Sequence, residues 1–291
     1  MKNQHVPVLL SEVLASLRPK ARESYLDLTA GYGGHAKSIL DVTLNYKDSV
    51  LVDRDEFAVA NLRQKFENAG ITIMNTDFYD AVLQLIECGK TFDIILADFG
   101  VSSPQLDNDE RGFSYHHDGP LDMRMDQRQA LTAADIVNRW SERDLSELFV
   151  KYGEEKPGRA KLLAREIVTH RPLATTKQLA DLILAKSKYS RTHPAARVFQ
   201  AIRIAVNDEL SEIEQALPLL PKLLNKGGRI GIITFHSLED RLVKDYFKEA
   251  ASHGEESELR LDTKKPIVAT ANELVINPRA RSAKLRVATR N

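Results

Sequence analysis

A glycine turn and three acidic residues are the parts of this sequence best suited to hold a ligand. Gly31, Gly33 and Gly34 follow a short apolar run, Tyr25 to Ala30, and lead into His35 and a helical pattern. Glycine serves where backbone must approach a ligand closely or adopt angles that a Cβ forbids. A helix beginning at about His35 would aim its free amide groups over that turn. Asp53 closes the next apolar run about twenty residues on, the spacing at which a carboxylate can accept hydrogen bonds from ribose hydroxyls. Asp77 and Asp98 close two further runs. Together these positions read as a nucleotide-type cofactor site without choosing the nucleotide. Gly31-x-Gly33-x-x-Ala36 also fits the loose dinucleotide pattern, so an NAD(P)-dependent oxidoreductase stays open.

The elements that must position these residues are apolar runs alternating with helical patterns, the mark of βαβ units and a parallel sheet. Runs at 49–53, 71–75 and 92–97 alternate with helical patterns at 56–68 and 81–88. Ligands bind beyond the carboxyl ends of such strands, so Asp53, Asp77 and Asp98 are expected to share one crevice. Capping of the following helices explains any single one of them equally well. After Asp98 the pattern changes to a long polar stretch rich in glycine and proline, containing Ser102, Ser103, Pro104 and Gln105. Asp98-Phe99-Gly100 spells a kinase magnesium motif, but no accompanying HRD or VAIK element occurs. His116 and His117 are adjacent and lack ligand spacing, so no metal site is expected. Helical patterns then run from Thr132 to about Leu184, and the helix Ala195 to Glu209 places Phe199, Ile202 and Val206 inward with Arg203 and Asn207 on a polar face. The sheet resumes at Gly227 to Phe235, with Gly227-Gly228 read as the stop of a helix ending near Leu224. Ser237 is the expected cap of the next helix, with Asp240 at its third position, and a last strand runs from Lys284 to Ala288.

With 291 residues, 43% of them hydrophobic, the chain can bury a full core. Cys88 is the single cysteine, which excludes an internal disulfide and suits a reducing compartment; with no signal-like or membrane-length apolar run, a cytoplasmic, non-membrane protein is expected. Lysine plus arginine balances aspartate plus glutamate at 41 each, but the distribution is uneven. Between Lys156 and Asn207 eleven basic residues face two acids, and Arg279, Arg281, Lys284, Arg286 and Arg290 follow Asn277 with no acid. Two basic segments in a neutral chain point to a polyanion partner.

Several long strings resemble the RsmH (MraW) family of S-adenosylmethionine-dependent methyltransferases acting on 16S ribosomal RNA. They are the Gly31 to His35 turn, Gly100 to Asp107, Arg111-Gly112-Phe113-Ser114, Asp118 to Asp126, Lys151 to Glu155, His193-Pro194-Ala195, Phe199 to Glu209, Phe235 to Arg241 and Asn277 to Arg286. The resemblance implies an α/β fold, a Rossmann-like class I methyltransferase core (1–105 and 208–291) interrupted by an inserted all-helical substrate-recognition domain (106–207). It implies methyl transfer from S-adenosylmethionine to N4 of a decoding-centre cytidine, cytidine 1402, with the small ribosomal subunit as partner. Gly33, Gly34, His35, Asp53, Phe78, Asp98 and Gln105 are the cofactor residues so implied, with Asp53 on the ribose and Phe78 against adenine. Asp98 or the segment Ser102-Ser103-Pro104 is the expected acceptor for the amine. Arg165, Arg197, Arg203, Asn207, Arg279 and Arg281 are expected to meet RNA. A non-catalytic RNA-binding or assembly protein on the same fold is the other alternative, and the sequence leaves the oligomeric state open, a dimer included.

Overall fold

The computed structural model describes residues 7–187, 193–252, 254 and 257–291. Met1 to His5, read above for a leader, and Lys188 and Arg191 of the basic count lie outside them. The chain forms two compact units, Met1–Gly100 with Leu210–Asn291, and Val101–Glu209.

The first unit opens with α1 (Leu10–Leu17), β1 (Tyr25–Asp27), α2 (Gly34–Thr43), β2 (Val50–Asp53), α3 (Glu56–Lys65), β3 (Thr72–Asn75), α4 (Phe78–Glu87) and β4 (Phe92–Asp98). Its strands are apolar on both faces, as a sheet covered by helices on each side requires. The sheet order is β3-β2-β1-β4 and then a fifth parallel strand, so the winding direction reverses between β1 and β4. That reversal opens a crevice at the carboxyl ends of those two strands. One face packs on α1, α2 and α3 through Val13, Leu17, Ile39 and Leu62. The other packs on α4 and a later helix through Val82, Leu85, Val243 and Phe247.

The second unit carries α5 (Ser103–Asp107), α6 (Ala133–Arg139), α7 (Glu142–Lys151), α8 (Pro157–Thr169), α9 (Thr176–Ala185) and α10 (Ala196–Asn207). Phe149, Leu145, Ile136, Leu163, Leu179 and Phe199 form a core of its own. The polar stretch ahead of α6 is ordered by two arginines. Arg111, buried, donates to the carbonyls of Arg124 and Met125, while Arg124 forks onto Asp122 and reaches the carbonyls of Gln127 and Gln129. The polar face expected on α10 is corrected. Asn207 is 2% exposed, accepts from Met125 N at 2.7 Å and donates to Met123 O, so it ties α10 to that stretch. Arg203 forks onto Glu209 at 2.8 and 2.9 Å.

The chain returns to the first unit through α11 (Glu209–Ala216), β5 (Leu224–Thr234), α12 (Ser237–Ala250), β6 (Leu259–Leu261), β7 (Ile267–Val268), α13 (Ala271–Ile276) and β8 (Lys284–Arg290). Gly227 and Gly228 stop no helix. A 3₁₀ segment, Leu217–Leu223, separates α11 from β5, because Pro218 and Pro221 withhold backbone donors. The two glycines lie inside β5, where the ladder to β4 jumps from Phe92↔Leu224 to Ile94↔Arg229 and the intervening residues loop out. β8 runs antiparallel to β5 and pairs with β6 and β7 on its other side. The cap of α12 is His236 with Glu239, one residue earlier than expected, and Asp240 is left to bind Lys284 and Arg286 at 2.9 and 2.8 Å. No helix among the described residues is long and apolar enough to cross a membrane.

Candidate functional site

The crevice at the reversal of winding is lined by the last residues of β1, β2 and β4, which are Asp27, Asp53 and Asp98. Asp27 is 2% exposed; its carboxyl accepts from the Tyr25 hydroxyl at 2.7 Å and from Thr29 N at 3.2 Å. Burial raises its pKa to about 7, against those hydrogen bonds. Asp53 accepts from Gly31 N at 2.7 Å and from Asp55 N at 2.9 Å, and burial still raises it to about 6. Asp98 is pushed well above the carboxylate range by burial and then by the charges of Asp27 and Glu239. One of its oxygens, Oδ1, is buried without a hydrogen bond among the described residues, while Oδ2 lies 3.7 Å from Nε2 of His35. Among the described residues no lysine or arginine forms an ion pair with Asp27, Asp53 or Asp98. Each of these strand-end acids is thus held toward its neutral form first by poor solvation and then by a neighbouring carboxylate, Asp53 for Asp27, Asp27 and Glu239 for Asp98, and Asp55 for Asp53.

The glycine turn is fixed by its own contacts. Gly33 caps α2 at φ +70°, and a Cβ there would meet Leu62 at 2.9 Å and Phe66 at 3.1 Å, so its smallness serves packing on α3. A Cβ on Gly34 would meet Pro7 at 2.5 Å. Gly31, at φ +52°, has only the Thr29 carbonyl in ordinary contact with a Cβ, at 3.9 Å, so its left-handed angle rather than crowding calls for glycine. Lys65 Nζ clasps the carbonyls of Tyr32 and Gly33 at 2.7 and 3.2 Å. His35 is 6% exposed at the first turn of α2.

Asp77 does not join the crevice acids; it caps α4, accepting from Asp80 N at 2.8 Å. Phe78, half-buried, opens that helix with its ring 5.4 Å from Phe99. Glu239, fully buried, accepts from Phe235 N at 2.7 Å and lies 3.1 Å from Nε2 of His236. Sequence reasoning missed Asp27, Tyr25 and Glu239 as partners in this electrostatic group. Only Asp27 left a trace, an acid inside an otherwise apolar strand. Arg279 and Arg281, both exposed, stand just before β8, whose first residue pairs with Thr234 at the same carboxyl-terminal end of the sheet.

In the second unit, Ser102 caps α5 and closes a capping box with Gln105, 5% exposed, whose Oε1 accepts from Ser102 N at 2.9 Å. Ser103 and Pro104 form the first turn of that helix. Arg165 is exposed on α8; Arg197 is exposed on α10 and reaches the carbonyl of Glu154 at 3.4 Å. Tyr115 stacks on His193 with centroids 4.9 Å apart and a 19° tilt, His116 edges onto His193, and Phe199 edges onto Tyr115. This ring cluster was invisible in sequence, because its two halves, Tyr115-His116 and His193 with Phe199, lie far apart in the chain. His117 pairs instead with Asp109 at 3.0 Å.

The arrangement in the first unit suits a ligand that brings positive charge, hydroxyl donors and a flat apolar group. A family model described as the MraW methylase family matches residues 2–291. A protein of Trichodesmium erythraeum named ribosomal RNA small subunit methyltransferase H is 48% identical over 98% of this chain and 98% of its own. A Synechocystis protein of the same name is 46% identical over 97% of this chain and 92% of its own. Among solved structures, a putative methyltransferase of Streptococcus mutans in complex with SAH overlaps 97% of this chain and 95% of its own, at 8% identity and a TM-score of 0.43.

Proposed function

We propose, from the premise that the chain belongs to the MraW methylase family, that it is an S-adenosylmethionine-dependent methyltransferase acting on small-subunit ribosomal RNA. The finer reading is transfer to N4 of a decoding-centre cytidine, cytidine 1402 of 16S RNA, in the cytoplasm. Family membership removes the oxidoreductase that the glycine pattern left open. The observation that carries the cofactor assignment is the trio of strand-end carboxylates beside a glycine turn, one buried and two half-buried, all poorly solvated, with no lysine or arginine paired to Asp27, Asp53 or Asp98 among the described residues.

The residues present fit S-adenosylmethionine, whose sulfonium and ammonium bring the charge that the crevice lacks. When bound, it supplies a methyl group already activated for attack, so no metal need polarise it. Asp53 spends one lone pair of each oxygen on Gly31 and Asp55, leaving acceptor capacity for ribose hydroxyls. Gly33, Gly34 and His35 are the residues assigned to its methionine part, and Phe78 offers adenine a flat face. Gln105 completes the proposed cofactor set.

The cytosine amine is a poor nucleophile because its lone pair is delocalised into the ring. Asp98, ionised once a cationic cofactor occupies the crevice, would accept a hydrogen bond from N4 and take up the amine proton as the methyl group is transferred, a role for which its raised affinity for protons suits it. Ser102, Ser103 and Pro104 are proposed to shape the approach, since Ser102 is occupied as a helix cap. Arg165, Arg197, Arg279 and Arg281, all exposed, are the proposed phosphate contacts, which would offset the few kcal/mol needed to unstack a base. Arg203 and Asn207 support them as scaffold. The test is to incubate the protein with labelled cofactor and 16S RNA from a strain lacking the gene. Label at N4 of the target cytidine is expected; no label, or label on another atom, sinks the reading and leaves the non-catalytic alternative.

A further inference from the structure

At the opposite end of the first unit's sheet, the C-terminal turn of α1, the start of β5 and the end of β8 enclose a cavity of about 510 Å³. Six of its lining residues are cationic, Arg18, Lys20, Lys226, Arg229, Arg260 and Arg290, and among the described residues no carboxylate side chain lines it. Arg229 forms the floor. It is 8% exposed and its guanidinium is occupied by Glu23 and by the carbonyls of Leu17 and Arg18. Arg290 donates to the carbonyl of Leu224, and Arg260 stands 3.6 Å from Asp262. The exposed side chains of Arg18, Lys20 and Lys226 pair with no carboxylate among the described residues. Lys226 reaches the rim because β5 loops out there, with Gly227 at φ +77° making the turn.

Glu23 and Asp262 neutralise Arg229 and Arg260, which leaves Arg18, Lys20 and Lys226 as three exposed cations on one rim with no ion pair among the described residues, and gathering like charges in this way is unfavourable. We infer that this cavity is a second RNA contact, which grips the sugar-phosphate backbone of the small-subunit RNA at a point remote from the methylated base. The inference rests on the proposed ribosomal RNA substrate. From Arg229, where the regular ladder resumes, to Thr234 the strand spans roughly 17 Å, so the two contacts engage separate stretches of a folded RNA. A compact oxyanion would be held by buried donors, but the one buried guanidinium here has four of its five N–H groups taken by Glu23 and by the carbonyls of Leu17 and Arg18. The cations with spare donors are exposed along the rim, the layout that suits a passing phosphate chain.

The test compares the protein with the triple variant Arg18→Gln/Lys20→Gln/Lys226→Gln, measuring affinity for small ribosomal subunits across a salt series. About tenfold weaker binding at low salt is expected, with a salt slope shallower by about two to three, since each of the three lost phosphate contacts contributes just under one. Cofactor affinity and transfer to a short oligonucleotide bearing the target base stay unchanged. If the triple variant melts early, Lys226→Glu alone on the exposed loop is expected to shift affinity in the same direction. Unaltered affinity and slope, in a wild-type protein that methylates ribosomal RNA, overturns this contact and leaves the catalytic reading standing. A wild-type protein that neither binds nor methylates the RNA overturns both. Stabilisation by inorganic pyrophosphate that the variant loses, with RNA binding intact, reassigns the cavity to a compact anion and overturns the RNA contact.

Discussion

Asp27 and Asp53 show what a residue costs and supplies at this site. Their folded pKa values, about 7 and about 6, lie above the unfolded carboxylate value, so the folded state holds protons that the unfolded state has released. Stability from these groups is therefore present at low pH and is lost as pH rises from about 4 to about 7, each unit of displacement corresponding to about 1.4 kcal/mol. Replacing Asp27 by Asn is expected to flatten that pH dependence of the melting temperature; an unchanged slope would remove Asp27 from the account. A cationic ligand favours the ionised acids, so cofactor affinity should rise between pH 5.5 and 8 with proton release, measurable by calorimetry in buffers of different ionisation enthalpy. Asp53→Ala should weaken cofactor binding by tenfold or more, at about 1.4 kcal/mol per decade, while the fold persists; equal affinity would refute the ribose assignment. Asp53 was legible from spacing to the glycine turn. Asp27 was not, because an acid in a strand gives no sign of what packs around it. Arg203 and Asn207 were misread because helical spacing puts them one turn apart without revealing that Glu209 and the Met123–Met125 backbone come to meet them.

At the scale of elements, sequence periodicity located the parallel strands and most helices because both faces of such a sheet are apolar and its helices are capped by acids and hydroxyls. What failed was punctuation. Gly227-Gly228 has the composition of a helix stop, yet two prolines had already ended the helix and the glycines serve an excursion within β5. Ser237 looked like a cap, but His236 takes that place with the buried Glu239, which frees Asp240 to fasten β8 to α12. Burial alone would raise Asp240, yet the hydrogen bonds from Arg286 and Lys284 hold it below the usual carboxylate range. Asp240→Ala would leave Arg286, 11% exposed, without its counter-ion, and a loss of about 2–4 kcal/mol in denaturant unfolding is expected. A change under half a kcal/mol would mean solvent satisfies both cations.

For the molecule as a whole, the two units have separate hydrophobic cores, and the second is one continuous stretch of chain. Residues 101–209 expressed alone should therefore give a helical circular-dichroism spectrum with a cooperative melt. Phe149→Ala, at a fully buried position, should destabilise that fragment by about 3–5 kcal/mol and leave cofactor affinity of the full chain nearly intact. A non-cooperative melt would show that the second core depends on the first. The helical character of this stretch was plain from sequence, whereas the basic cavity was hidden, since its cations come from α1, β5, β6 and β8, over two hundred positions apart. The placement of β8 also orders events in time. It is translated after β5, β6 and β7 yet sits between them, so a nascent chain holds an unzipped sheet margin until β8 is made. A chain lacking Lys284–Arg290 would leave the edge of β5 unpaired, an open template for edge-to-edge association with another copy.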